Sequence, residues 1–312
     1  MGINGSEGMK VRPGKHLLLV LLMLAAAAAC GNPREEARVK LARMQVSYTP
    51  EALVKKAARG EVPAVKLFLR AGMDPGTRDQ NGMTPLHAAS LGGRSEVAGV
   101  LLEAGADPEA RDKKLGATVL IHAALRGHKD TVKLLLDRGV KMEAADAKNG
   151  RTALMWAVLN NHRETVEILL DRGAALGAQD HYGRNAMIYA CTYLKPETVD
   201  LLLARGADLN SRDVLGRPAL LLAAAMGRME MVKLLLSRGA EINSRDGEGR
   251  TALMWAAQNG RREIVAFLLA QGADVNAEDR EGKKALDLAK ADGKLMEILF
   301  LAEGRVPGSP KK

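Results

Sequence analysis

Short apolar clusters alternate with polar, glycine-bearing turns along most of the chain, and within each cluster the spacing is helical. Leu154, Ala157 and Val158 fall on one face of a first helix, where the small alanine lets a neighbouring helix approach closely. A second apolar stretch follows, as in Val132-Lys133-Leu134-Leu135-Leu136, and ends with Arg138 before Gly139. A cation then sits near the negative helix end and a glycine where the chain must turn, an arrangement repeated at Arg172, Arg205 and Arg238. The pattern predicts helix pairs and an all-α architecture.

These pairs recur at a fixed interval. Gly72, Gly105, Gly139, Gly173, Gly206, Gly239 and Gly272 are separated by 33, 34, 34, 33, 33 and 33 residues. A second series, Gly82, Gly116, Gly150, Gly183, Gly216, Gly249 and Gly282, runs in step with it. Self-similarity at such a period marks a repeat solenoid, whose units bury their apolar faces only by stacking. Because solenoids grow in one direction, the length of 312 residues does not set a domain count.

The unit reads most clearly as Asp79-Gln80-Asn81-Gly82-Met83-Thr84-Pro85-Leu86-His87-Ala88-Ala89, then a second apolar stretch, then Glu103-Ala104-Gly105-Ala106-Asp107. Later copies show Thr152-Ala153-Leu154-Met155, Thr251-Ala252-Leu253-Met254 and Gly272-Ala273-Asp274-Val275-Asn276. This unit resembles the ankyrin repeat, which implies helix-turn-helix units joined by β-hairpin-like finger loops. The resemblance runs over residues 49–303 and gives about eight units: an N-terminal cap (49–81), six fuller repeats, and a C-terminal cap with polar Lys290, Asp292 and Lys294. Thr84, Thr118, Thr152, Thr251 and Asn185 are placed to cap first helices, whereas Pro218 cannot. Pro85 suits the first helical position, where its missing N–H costs nothing. Fingers such as Asp180-His181-Tyr182-Gly183 have Asp first and Gly fourth, the preference of a type I turn. Those at Asp112 to Gly116 and Asp146 to Gly150 each carry one extra residue.

Composition fits thin helical layers. Apolar residues make up 47% of the chain and aromatics only 3%, so the core is mostly Ala, Leu and Val. The N-terminus departs from the repeat: Lys10, Arg12 and Lys15 precede the apolar run Leu17 to Leu24 and five alanines ending at Ala29. That is the layout of a secretory signal, too short for the roughly 20 residues of a spanning helix. Met9 is as good a start as Met1. The segment ending Ala27-Ala28-Ala29-Cys30 resembles the lipobox of bacterial lipoproteins, although Ala27 replaces the usual Leu. The resemblance implies cleavage of residues 1–29, a lipid on Cys30, a lipid-anchored tether over 30–48, and, with Gly31 and not Asp next, the outer membrane in preference to the inner. The alternative is an A-x-A signal-peptidase site at Ala27 and Ala29, leaving a soluble protein with a free thiol. Residues 304–312, with Pro307 and Pro310, read as a disordered basic tail.

Removing residues 1–29 takes Glu7, Lys10, Arg12 and Lys15, so the net charge falls from +9 to +7. A basic exported chain meets acidic protein surfaces, anionic headgroups or lipopolysaccharide, and no nucleic-acid partner is expected. With Cys30 acylated, Cys191 has no partner for a disulfide.

Candidate contact residues come from the repeat register. The position two after the apolar anchor of each first helix is Ala88, His122, Trp156, Tyr189, Leu222 and Trp255; two residues along a helix is about 200° around it, which points these side chains to the concave face. His122, Trp156, Tyr189, Leu222 and Trp255 therefore form a candidate groove, unless the rings lie flat on neighbouring helices as packing. Beside it runs a basic row, Arg151, Arg184, Arg217, Arg250 and Lys283, which either engages an anionic ligand or pairs with the finger residues Asp146, Asp180, Asp213, Asp246 and Asp279. Lys113, Lys114 and Lys148 on the enlarged fingers complete the candidates. His87, His122, His128, His162 and His181 lack metal-ligand spacing, Cys191 aligns with the small core residue Ala257, and no phosphate loop is present. The sequence thus points to a non-enzymatic, monomeric binding scaffold of the bacterial envelope that faces the periplasm, uses no cofactor or metal, and holds a protein partner. The alternative function is binding of anionic envelope polymers such as lipopolysaccharide through the basic fingers.

Overall fold

The computed structural model describes residues 31–193, 196–289 and 292–304. The signal-like segment 1–29, the lipidation candidate Cys30, Lys290 and the tail 305–312 lie outside the described residues. Among the described residues a lone helix, α1 (Pro33–Arg43), precedes eight helix pairs in sequence. These are α2 (Pro50–Arg59) and α3 (Val62–Arg70), α4 (Pro85–Leu91) and α5 (Ser95–Glu103), α6 (Val119–Leu125) and α7 (Lys129–Asp137), and α8 (Ala153–Leu159) and α9 (Arg163–Asp171). They continue with α10 (Ala186–Tyr193) and α11 (Pro196–Ala204), α12 (Ala219–Met226) and α13 (Met229–Ser237), α14 (Ala252–Gln258) and α15 (Arg262–Ala270), and α16 (Ala285–Leu288) and α17 (Gly293–Ala302). The fold class is the expected all-α repeat solenoid.

Two compact units divide after Val119. In the first, α2 stacks on α4 and α3 on α5; in the second, the first helices α8, α10, α12, α14 and α16 stack in order, and α11, α13, α15 and α17 do the same on the outer side. Small side chains make the inner stack possible: Ala223, Ala224, Ala256 and Ala257 are fully buried between neighbours. The outer helices α7, α9, α11, α13 and α15 each bury a Val and a Leu one turn apart, Val132 with Leu135, Val166 with Leu169, Val199 with Leu202, Val232 with Leu235, and Val265 with Leu268. Within each compact unit no single repeat has a core of its own, so stability there passes from one repeat to the next.

The caps follow the residue types. Thr84, Thr152 and Thr251 accept the N–H of His87, Met155 and Met254, and Asn185 accepts that of Ile188. Pro218 makes no side-chain cap, as expected, while the Thr118 hydroxyl is buried without a partner. The second helices α3, α5, α7, α9, α13 and α15 have no side-chain cap. At several of them the residue before the helix instead reaches back to a carbonyl of the preceding repeat: Arg94 to Ala58 at 3.2 Å, His162 to Leu125 at 3.0 Å and Arg261 to Ala225 at 3.1 Å. The arginines that end outer helices do likewise through ion pairs, Arg172 with Asp137, Arg205 with Asp171 and Arg238 with Asp200. Such exposed pairs contribute roughly 0.2–1 kcal/mol each, which sets register more than stability.

One boundary changes. Residues 30–48 were expected to be a tether, but α1 packs on α3 and buries Ala37, Val39 and Leu41. Asn32 caps it by accepting the Arg34 N–H, and Tyr48 closes the connection by stacking on Phe68 and donating to the Ala71 carbonyl. Most of its charged residues face solvent, but Arg38 lies 4.9 Å over the Tyr48 ring, and the helix lies where the second helix of a preceding repeat would.

Leu41→Ala should therefore destabilise α1 by about 2–4 kcal/mol, the cost of truncating a fully buried leucine. Native-state hydrogen exchange should show faster exchange across Pro33–Arg43 in the variant. Unchanged protection there would restore the tether.

Candidate functional site

Each finger is built around its aspartate. Asp79, Asp112, Asp146, Asp180, Asp213, Asp246 and Asp279 each accept two backbone N–H groups of their own turn, as when Asp213 accepts those of Leu215 and Arg217 at 3.0 Å each. The Asp N–H donates to the carbonyl four residues on in most fingers, but five on in those of Asp112 and Asp146, which confirms their extra residue. Adjacent tips are joined: the N–H groups of His181, Val214, Gly247 and Arg280 donate to the carbonyls of Asn149, Tyr182, Leu215 and Glu248.

The second carboxylate oxygen of the finger Asp decides the fate of the predicted groove. Trp156 Nε1 donates to Asp146 at 2.9 Å, Trp255 Nε1 to Asp246 at 2.8 Å, and the Tyr189 hydroxyl to Asp180. Where a tryptophan holds its own Asp, the arginine of that repeat turns to the next finger: Arg151 donates to the Tyr189 hydroxyl at 2.8 Å and lies 4.0 Å from Asp180, and Arg250 lies 3.6 Å from Asp279. Where Leu222 offers no donor, Arg217 takes its own Asp213 through two nitrogens at 2.8 and 2.6 Å. Arg184 shares Asp180 with Tyr189. The guanidiniums also cover the rings, Arg151 between Trp156 and Tyr189, and Arg217 and Arg250 on Trp255.

This arrangement corrects two of the candidates. Tyr189 is 1% exposed and His122 6% exposed, so neither presents a contact surface. The row Arg151, Arg184, Arg217 and Arg250 is committed to internal carboxylates, and Lys283 pairs with Glu281 at 2.6 Å. Trp156, Leu222 and Trp255 remain half-buried with a face to solvent, and Lys113, Lys114 and Lys148 are exposed. Lys113 also lies over Gly82 of the preceding finger, whose φ of +74° needs glycine.

Sequence reasoning missed the apolar tips Tyr182, Val214 and Leu215, which are 53%, 65% and 56% exposed. Comparing tip residues finger by finger would have found them, since apart from Leu115 and Ala147 in the enlarged fingers the other tips are polar or glycine.

Burial alone would raise the Asp180 carboxyl, yet the Tyr189 hydroxyl, the backbone N–H groups of Arg184 and Tyr182 and the Arg184 guanidinium outweigh it and hold the group below its ordinary value. Burial, reinforced by the bond to Asp180, pushes the Tyr189 phenol up to about 12. Burial also pushes the Cys191 thiol up to about 12, so it is a core residue and not a nucleophile at neutral pH. Among the described residues no group of His, Cys, Asp and Glu is placed to hold a metal ion, and no helix is long and apolar enough to cross a membrane.

Helix pairs that stack on their neighbours and are joined by aspartate-closed turns at a fixed interval define a helical repeat protein. The family model for ankyrin repeats (3 copies) matches residues 22–112, 110–180, 174–246 and 220–305, and the chain belongs to the ankyrin-repeat family. It is similar to the 2-5A-dependent ribonuclease of Mus musculus, 42% identical over 71 residues that make up 22% of this chain and 10% of that protein. An ankyrin repeat-containing protein of Schizosaccharomyces pombe is 39% identical over 57 residues, 18% of this chain and 28% of that one. Protein phosphatase 1 regulatory subunit 12A of Mus musculus is 39% identical over 62 residues, 20% and 6% of the two chains. The matches span less than a third of each relative's length.

The Tyr189–Asp180 bond has a pH signature. With its folded pKa raised above the ordinary 10, Tyr189 contributes stability that is complete below pH 10 and is lost as pH rises through about 12. Asp180 contributes stability present above pH 3.8 and lost as pH falls through its lowered value. Alkaline absorbance titration should show one phenol ionising near pH 12, absent from Tyr189→Phe. That variant should be about 1.5–3 kcal/mol less stable at neutral pH, with a flatter stability profile between pH 10 and 12.

Proposed function

We propose that this chain is a non-catalytic scaffold of the bacterial envelope, anchored by a lipid on Cys30, facing the periplasm from the outer membrane, and holding a partner protein on its concave face and fingers. The observation that carries the protein-binding reading is the division of labour on that face. The arginines are neutralised by buried aspartates, whereas Trp156, Leu222 and Trp255 keep apolar surface open to solvent. A face of that kind suits a protein surface better than a polyanion. The ankyrin fold, whose repeats generally serve as interaction surfaces, supports a binding role over a catalytic one.

The basic stretch, apolar run and Ala-rich end before Cys30 support the anchor. Because α1 begins at Pro33, such an anchor leaves only Gly31 and Asn32 between the lipid and the helical array, and the scaffold is held close to the membrane. The exposed Lys113, Lys114 and Lys148 favour a second reading, capture of lipopolysaccharide or a related polyanion.

One fractionation experiment separates these readings. Wild-type chain should sediment with membranes and Cys30→Ser should be soluble. From the membrane fraction, wild type should retain a specific protein at 1 M salt, where the screening length is about 3 Å, and Leu222→Asp should lose it. Binding that disappears in salt, ignores Leu222→Asp and falls on Lys148→Glu would favour the polyanion. Membrane association of Cys30→Ser equal to wild type would remove the lipid anchor.

A further inference from the structure

The tip of a turn faces water, and the fold asks little of its side chains. Corresponding positions elsewhere are Gln80 and Asn81, Lys114 and Leu115, Lys148 and Asn149, Gly247 and Glu248, and Arg280 and Glu281, of which only the half-buried Leu115 is apolar. Between them stand Tyr182, Val214 and Leu215, each more than half exposed. The same two repeats expose Tyr193 at the end of α10 and Met226 at the end of α12, so five of the seven exposed large hydrophobics among the described residues lie between positions 182 and 226. On two successive finger tips Tyr182, Val214 and Leu215 mark an interaction surface, since scattered apolar residues need no explanation and clustered ones do.

The tips are also rigid. The Val214 N–H donates to the Tyr182 carbonyl at 3.0 Å, and the Gly247 N–H to the Leu215 carbonyl at 2.8 Å. Arg184 lies 4.5 Å over the Tyr182 ring. A dock ordered before its ligand arrives loses little entropy on binding.

Charge identifies the occupant. Arg212 donates to the carbonyls of Gly216 and Arg245, and Arg245 to those of Gly249 and Glu278, so both guanidiniums are held by neutral oxygens and keep their charge. Lys148 is exposed on the finger before Tyr182. The finger aspartates point inward and are consumed by N–H groups, so the fingers of Tyr182 and of Val214 and Leu215 carry no exposed carboxylate of their own, and the exposed Glu248, Glu278 and Glu281 stand on the fingers that follow. Resting on the protein-binding reading above, we propose that the tips Tyr182, Val214 and Leu215 dock a protein segment that carries apolar side chains flanked by carboxylates.

The test uses the full chain to select from a random peptide library displayed on phage. Wild type should enrich sequences in which apolar residues are bordered by Asp or Glu. A synthetic peptide of that consensus should bind Val214→Ser, Leu215→Ser at least about tenfold more weakly, with the unfolding midpoint unchanged because both side chains are exposed. Lys148→Glu should also weaken it. Peptides that bind the double variant undiminished but fail on Leu222→Ser would overturn the tip assignment and leave the scaffold reading standing, whereas no enriched consensus would overturn both. Self-association of the wild type, lost in the double variant, would give the tips to a second copy and overturn the proposed occupant.

Discussion

A carboxylate at the base of each finger is the interaction on which the rest depends. A hairpin this short leaves backbone N–H groups that no ladder can satisfy, and the aspartate takes two of them, closing the turn from inside. At Asp146, Asp180, Asp213, Asp246 and Asp279 the remaining oxygen then faces a donor on the inner helix or on a residue after a finger glycine. Finger and helix are thereby locked in one geometry, and because the arginines of Trp-bearing repeats cross to the next finger, that lock is also a link between repeats.

This constraint partitions the concave face. Groups that look like a ligand-binding row in one dimension, alternating aromatic and basic, are largely turned on one another, with cations over rings and against carboxylates. What remains for a partner is apolar: half of Trp156, Leu222 and Trp255, and beyond them the exposed tips. Rigidity is supplied by the aspartates, and the proposed partner would meet side chains that the fold does not use.

Much of the fold was legible because period and residue type carry it. The glycine ladders placed the turns, Thr84, Thr152, Thr251 and Asn185 announced their caps, and Pro218 its lack of one. Terminal α1 was not legible, since outside the repeat period its alternation of Arg, Glu and Lys hides the buried Ala37 and Leu41. Within the site, register put His122, Trp156, Tyr189, Leu222 and Trp255 at equivalent helix positions but carried no information on their depth. Tyr189 and Trp156 occupy equivalent positions, yet one is fully buried and the other half open, a difference set by whether the ring reaches its aspartate with a phenol or an indole. The choice between own-finger and next-finger pairing for the arginines depends on that neighbour and has no signature in the arginine itself. Repeat position could be read, and depth and pairing could not.

The most direct test of this account is the thermal and denaturant stability of Asp180→Asn beside Glu248→Gln. Asp180 accepts from Tyr189, from Arg184 and from two backbone N–H groups, and an amide removes its charge and places a donor among donors. The account predicts a loss of about 3–5 kcal/mol for Asp180→Asn, as expected when one partner of a buried pair is removed, and no measurable change for the exposed Glu248→Gln. An Asp180→Asn chain as stable as wild type would contradict it.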